Sequence, residues 1–308
     1  MKSELLHLSG GGYTATINVS RGANCISLRH ENGAKILREP KDPDDLDNPY
    51  LYGMPILFPV NRIQGGVFTF EEREYRFPIN EPATGCHLHG LLHATPFTVT
   101  EQTADTLKCR FLSTEQTPYP DFPHIFEIMM EYNLRAEGFY HTVTVTNHSE
   151  QNMPVFLGFH TTFNTRLFED SNPEDICIAA NITEEYARNM DQDYLPTGEK
   201  PAFDATSNAL VVGTYKPFSE KASRHYRGQG SMSITDTGKK LRLVYDNDEK
   251  YTFRLIYNGG SEGYICLEPQ NCLANCPNGP FAREEAGFNY LTPKESKTFR
   301  SKIYFENF

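Results

Sequence analysis

The feature that most constrains this chain is a series of short alternating runs divided by turns. Phe126–Arg135 and residues 139–147 alternate apolar and polar side chains, and the tripeptide Ala-Glu-Gly separates them. Residues 67–77 form two shorter runs around a charged turn. Alternation with a period of two is typical of half-buried β-strands, and short polar connections are typical of hairpins. The pattern therefore predicts antiparallel strands rather than helices.

More strands are predicted near the C-terminus, at residues 240–245, 252–257 and 263–267. One short helix is predicted over residues 183–190, with Thr183 as its N-cap. Many short strands at turn-like spacing favour stacked antiparallel sheets. The polar segment 41–48 reads as a loop, and neither a repeat nor a low-complexity linker divides the sequence. We therefore expect one all-β domain over residues 1–308, built as large antiparallel sheets.

Charge and apolar content exclude several classes of partner. The chain has 29 basic and 40 acidic residues, a net charge of −11. This argues against nucleic acid and against an anionic membrane surface as partners. The longest apolar run, residues 54–60, is far shorter than the roughly 20 residues of a membrane-spanning helix. With no signal-like start and an odd count of seven Cys, the sequence favours reduced thiols and a cytoplasmic location. Either a monomer or a homodimer fits.

Two groups of residues have spacings that could suit a metal ion. Cys272 and Cys276 resemble a zinc half-site, but no second Cys or His pair lies nearby. His87, His89 and His93 are closely spaced, and two imidazoles two residues apart share one face of a strand. No carboxylate ligand accompanies them, so the alternative is one functional His beside two ordinary ones. We expect no metal and no other cofactor.

Three segments place polar side chains where a ligand could reach them. His160 ends an apolar run and is followed by Thr-Thr-Phe-Asn, as at a strand end that opens into a polar pocket. Glu268 ends another apolar run, where a carboxylate is costly to bury unless it is paired. Asn61 and Arg62 precede a Gly pair and could present a fork of donors. Each residue alone also fits a structural role, in the core, at the rim or in a surface ion pair.

The order of these segments is more specific than any one of them. FPVNRI at 58–63 is followed by LHG at 88–90, GFH-x-x-FN at 158–164, LPTGE at 195–199 and LEPQN at 267–271. In this order the elements resemble the aldose 1-epimerase (galactose mutarotase) family over roughly residues 50–300. The resemblance implies a β-supersandwich fold with a sugar cleft on one face.

The resemblance also implies roles for individual residues. His160 would be the general acid at the sugar ring oxygen, and Glu268 the general base at the anomeric hydroxyl. Asn61, Arg62 and His89 would hold the sugar. Ordinary pKa values, about 4.3 for Glu and 6.5 for His, predict an ionised base and a partly protonated acid near pH 7. No metal, cofactor or redox step is needed for this chemistry.

Two departures from the family pattern leave the substrate open. The resemblance aligns Ser223 with a family Asp and Leu255 with a family Gln. The favoured function is a mutarotase for a free aldose. A hexose-phosphate mutarotase is an alternative, with Arg224 and Arg227 as candidate phosphate contacts. A catalytically silent sugar binder is another, and a glycoside hydrolase is disfavoured because one carboxylate stands out where two are usual.

Overall fold

The fold is nearly all strand, as the sequence predicts. A computed structural model describes residues 2–44, 46, 48–202, 223–259 and 263–307. Every strand pair between the named strands of these ranges is antiparallel. Short 3₁₀ turns lie at Leu92–Ala94 and Pro173–Asp175. No helix of the described ranges is long and apolar enough to cross a membrane.

The first half of the chain, up to the long central hairpin, contributes twelve strands. They are β1 Leu5–Gly10, β2 Tyr13–Asn18, β3 Asn24–His30, β4 Ile56–Leu57, β5 Arg62–Gln64, β6 Val67–Phe70, β7 Arg73–Arg76, β8 Cys86–Leu88, β9 Thr98–Gln102, β10 Thr106–Ser113, β11 Phe126–Arg135 and β12 Gly138–Asn147.

The second half contributes twelve more, among them the strands that carry most of the candidate site. They are β13 Met153–Pro154, β14 Gly158–Phe159, β15 Thr162–Asn164, β16 Ile176–Ala180, β17 Glu184–Tyr186, β18 Ser223–Arg227, β19 Met232–Asp236, β20 Leu241–Asn247, β21 Phe253–Tyr257, β22 Tyr264–Gln270, β23 Tyr290–Leu291 and β24 Ser296–Asn307.

Two large sheets form the body of the molecule. The larger sheet has the order β16-β19-β20-β24-β12-β11-β10-β9, and the second has the order β17-β18-β21-β22-β14-β4, with β15 also on β22. Their facing side chains touch: His141 of β12 meets Phe159 of β14, and Phe163 of β15 meets Tyr245 of β20. Along β11 and β12, buried residues alternate with more exposed ones. The two strands pair antiparallel, which confirms the predicted hairpin.

Strand β22 differs from the half-buried strands because all seven of its residues are buried. Ile265 and Leu267 belong to the apolar core. Successive side chains of a strand point to opposite faces, so Cys266, Glu268 and Gln270 share the other face. That face carries the candidate site, described below.

The predicted helix over residues 183–190 is wrong. Residues 184–186 form β17 instead, paired with β18, and Tyr186 is buried against Phe253 and Phe281. The hydroxyl of Thr183 bonds to the carbonyl of Arg227 across the pair rather than capping a helix. Strand pairing and the burial of an aromatic ring outweigh a weak local helix preference here.

Candidate active site

A small polar cavity is lined by residues of β5, β18, β21 and β22 and by His160, which follows β14. Its volume is about 250 Å³, which is near the lower end of ligand-pocket sizes and suits one small molecule. The sequence-predicted residues Asn61, Arg62, His89, His160 and Glu268 all line it. The other lining residues are Asn48, Tyr50, Leu51, Glu81, Leu88, Tyr194, Ser223, Leu255 and Tyr257.

The deepest part of the cavity holds the predicted acid–base pair. His160 follows β14 directly, and Glu268 lies in β22, to which β14 is paired through Gly158 and Gln270. This pairing brings two residues that are far apart in sequence into contact. His160 Nε2 lies 3.2 Å from Glu268 Oε1, and the Glu268 side chain is fully buried.

Burial sets the protonation of this pair. It raises the pKa of Glu268 to about 8, against the weaker opposing effect of the Gln270 hydrogen bond and two guanidinium groups. It lowers the pKa of His160 to about 3. The sequence-based expectation of an ionised Glu and a partly protonated His at pH 7 is therefore wrong for these two buried groups. Loss of hydration disfavours the charged form of both groups, so the pair holds one proton, on the carboxyl.

A chain of hydrogen bonds orients the carboxyl group. Gln270 Nε2 donates to Glu268 Oε2 at 3.0 Å, and Asn61 Nδ2 donates to Gln270 Oε1 at 3.1 Å. Asn61 in turn is fixed by His89, as described next. Asn61 thus supports the Glu268 carboxyl through Gln270 as well as lining the cavity. The sequence motif LEPQN contains Gln270, but the motif alone did not predict this role.

Asn61 and His89 lock each other in place. Each has a left-handed backbone conformation, with φ of 63° in both, which Asn and His tolerate better than most residues. The Asn61 N–H donates to His89 Nδ1 at 3.2 Å, and the His89 N–H donates to the Asn61 carbonyl at 3.1 Å. Burial holds the pKa of His89 well below its usual range. The neutral ring therefore carries its proton on Nε2, which is left to donate to a ligand.

Arg62 is held by a carboxylate that no sequence motif predicted. Its Nε and Nη2 donate to the two oxygens of Glu81 at 2.7 and 2.6 Å, the bidentate geometry typical of strong Arg–carboxylate pairs. The guanidinium also lies over the ring of Tyr194, 4.7 Å from its centre. Glu81 is a second carboxylate in the cavity, but Arg62 and Thr84 occupy its oxygens. Neither Glu81 nor Tyr194 carries a motif signal that spacing alone reveals.

The two positions at which the family pattern is interrupted both lie in the cavity. Leu255 is directly opposite Glu268 in the β21–β22 pair, and Ser223 is opposite Tyr257 in the β18–β21 pair. The sequence-based placement of these two residues is therefore compatible with the structure. Arg224 and Arg227 do not line the cavity; they pair with Glu185 and Glu184. The structure thus gives no support to these two as phosphate contacts.

The His87, His89 and His93 set does not converge on one point. His87 stacks on Phe77 and bonds to the Pro78 carbonyl, and His93 packs against Tyr50.

Among the described residues, the one cluster with metal-ligand spacing is His160, Cys266 and Glu268, whose ligand atoms lie within 4.8 Å of one another. Cys272 and Cys276 are buried free thiols, like four of the other five Cys residues; Cys177 is partly exposed.

Comparison with known proteins identifies the family of the chain. The family model described as aldose 1-epimerase matches residues 4–304. The chain belongs to the aldose 1-epimerase family. Among curated relatives, the uncharacterized protein YihR of Escherichia coli (strain K12) is 28% identical over 287 residues, which cover 89% of this chain and 86% of that protein.

Solved structures of family members share the fold. A galactose mutarotase-like protein from Clostridium acetobutylicum superposes with a TM-score of 0.90 at 30% identity, covering 100% of this chain and 98% of that one. A galactose 1-epimerase from Lactobacillus acidophilus NCFM has a TM-score of 0.74 at 14% identity, covering 100% and 99%. At that identity the second comparison supports the fold alone. The β-supersandwich predicted from sequence is confirmed.

Proposed function

We propose that this aldose 1-epimerase family member interconverts the α and β anomers of an aldose. The observation that carries the proposal is the 3.2 Å approach of His160 Nε2 to Glu268 Oε1 on one side of a small polar cavity. Anomer exchange needs one group that removes the proton of the C1 hydroxyl and one that delivers a proton to the ring oxygen. A buried imidazole and carboxyl that together hold one proton provide both.

The proton balance of the reaction follows from that pair. The carboxylate of Glu268 takes the proton of the C1 hydroxyl, and the imidazolium of His160 gives its proton to the ring oxygen as the C1–O5 bond breaks. The open aldehyde then rotates about C1–C2. For reclosure, His160 takes the O5 proton and Glu268 returns one to the carbonyl oxygen. No proton enters from or leaves to solvent.

Burial favours the protonation state that the pair has at the open-chain stage of this cycle. The proton of the pair is on Glu268 and His160 is neutral, because the pKa of Glu268 is about 8 and that of His160 is about 3. That is the protonation state of the pair after ring opening. The ion-pair form, which starts the cycle, needs sugar hydroxyls that donate to the carboxylate in place of lost water.

A hydrolase or a silent binder has less support. The second cavity carboxylate, Glu81, is engaged by Arg62 and Thr84 and lacks a free oxygen for a glycosidic bond or a water. A binder has no need for a proton-transfer pair, whose burial is costly.

The direct test is polarimetry of freshly dissolved α-anomers of several aldoses, with and without protein. We expect an accelerated approach to the equilibrium rotation, at a rate proportional to protein concentration. An unchanged rate for every aldose tested would refute the proposal.

Arg62→Ala and His89→Ala should weaken sugar binding and lower turnover together, because the two groups would contact substrate in both the ground and the transition state. For Arg62→Ala we expect kcat/KM to fall about 10-fold or more, since a charged donor is lost. Arg76→Ala is the matched control, because Arg76 is an exposed Arg that also pairs with a Glu. Normal kinetics in both site variants would contradict this placement of the sugar.

A further inference from the structure

A buried guanidinium, Arg188, lies behind one wall of the cavity. It follows β17, in a segment that folds back on itself through bonds between the backbones of Ala187 and Glu199 and of Asn189 and Leu195. Only 8% of Arg188 is exposed. The same fold-back brings Tyr194 to the cavity.

In the described part of the chain, Arg188 lacks the carboxylate partner that Arg62, Arg224 and Arg227 have. Its Nη2 donates to Ser223 Oγ at 2.5 Å and to the Ser223 carbonyl at 3.1 Å. Nε and Nη1 are buried without a hydrogen-bond partner. Within the described ranges no carboxylate forms an ion pair with it, whereas Arg62, Arg224 and Arg227 each have one. An uncompensated buried charge is costly, and a bound anion would reduce that cost.

Two cavity residues connect Arg188 to a ligand. Ser223 and Tyr194 both line the cavity, and both contact the Arg188 side chain, Tyr194 with its ring centre 5.9 Å away. Because the Ser223 hydroxyl accepts a hydrogen bond from Arg188, its own proton is available to another acceptor. Ser223 therefore presents a hydroxyl donor to the cavity, and the positive charge of Arg188 lies behind it.

The other charges around the cavity cancel. Arg62 and Glu81 form a bidentate pair, and burial keeps His89 neutral. Burial also favours the neutral carboxyl of Glu268 and the neutral ring of His160. Although burial lowers the pKa of Arg188 to about 9, the group remains charged at neutral pH. Of the described groups at the cavity, Arg188 is thus the one that leaves a net charge.

We propose that the Ser223–Arg188 wall receives an anionic group of the substrate, a carboxylate or a phosphate, so that the substrate class is an acidic aldose. The proposal rests on the proposed function, and it names a substrate class for the same cavity. Arg188 acts here as a positioning residue behind Ser223, since its own nitrogens do not line the cavity.

The test compares matched sugars in the same polarimetric assay. D-glucose is compared with D-glucuronate and with glucose 6-phosphate, so that the carboxylate and phosphate arms are separate. We expect kcat/KM to be at least about 10-fold higher for one of the acidic sugars than for glucose. In Arg188→Gln this value should fall about 10- to 100-fold for the acidic sugar and change little for glucose.

Two further variants keep the test independent of misfolding. Arg188→Lys retains the charge and should retain most of the preference. Arg224→Gln removes an equal charge one residue from Ser223, on a side chain that is 45% exposed and does not line the cavity. It should leave the acidic-to-neutral ratio unchanged. A parent protein that favours glucose over both acidic sugars, or an unchanged ratio in Arg188→Gln, would overturn the proposal.

Failure of the proposed function is a separate outcome. If no sugar is interconverted faster, titration calorimetry with D-glucuronate, glucose 6-phosphate and D-glucose still tests the wall. Tighter binding of an acidic sugar that is lost in Arg188→Gln would support the anion site alone. Equal binding of all three sugars, or no binding, would refute it.

Discussion

Glu268→Gln is expected to lower the catalysed rate of anomer exchange by about 10²–10⁴-fold while it binds sugar nearly normally. The amide keeps the shape of the side chain and can still bond to Gln270, but it cannot accept the C1 proton. Polarimetry gives the rate, and titration calorimetry with the preferred sugar gives the affinity. Equal rates for the variant and the parent protein would end the assignment of Glu268 as the base.

The fold of this variant should be intact. Burial raises the pKa of Glu268 from about 4.5 in the unfolded chain to about 8 in the folded protein. The carboxyl group therefore stabilises the fold fully below pH 4.5, and this stabilisation is lost as the pH rises through about 8. A neutral amide avoids that loss, so the melting temperature at pH 8 should be at least that of the parent. Because both groups serve one exchange, His160→Gln combined with Glu268→Gln should cost little more than either single change.

The pH dependence of kcat/KM should show a plateau between about pH 4 and 7 and an alkaline fall centred near pH 8. One proton on the His160–Glu268 pair is needed, and the pair holds one proton between its pKa values of about 3 and 8. Above pH 8 that proton is lost, and the rate should fall about 10-fold per pH unit, or about 100-fold from pH 6 to pH 10.

The uncatalysed reaction must be subtracted at each pH, because acid and base accelerate anomer exchange in water. Arg224→Gln, whose charge lies outside the cavity, should keep the profile of the parent. An alkaline limb centred near pH 6.5 would instead indicate an imidazole with an ordinary pKa, and it would contradict the dominance of burial at this site.

Period-two alternation made most of the fold predictable. Such patterns predicted β6, β7, β11 and β12, because one face of each pleated strand packs on the core. The pattern gave less information for β22, whose residues are buried on both faces, and for β17, where pairing with β18 replaces the predicted helix.

The order of the motifs predicted that the five candidate residues lie in one site. The sequence did not predict the pKa values and ion pairs of that site. The pKa of Glu268 depends on complete burial, which a Glu at a strand end does not indicate by itself. Glu81 and Arg188 are distant in sequence from the residues they contact, Arg62 and Ser223. Their roles therefore depend on loop geometry that spacing does not reveal.

The mutual bonding of Asn61 and His89 leaves one side of the cavity less tolerant of substitution than the other. On their side, left-handed backbone and the close approach of Gly90 to the Phe58 carbonyl restrict which residues fit. On the other side, Ser223, Leu255 and Tyr257 lie on regular strands that accept many side chains. If the cavity holds a sugar as proposed, substitutions on the second side could change which sugar binds while the first side stays the same.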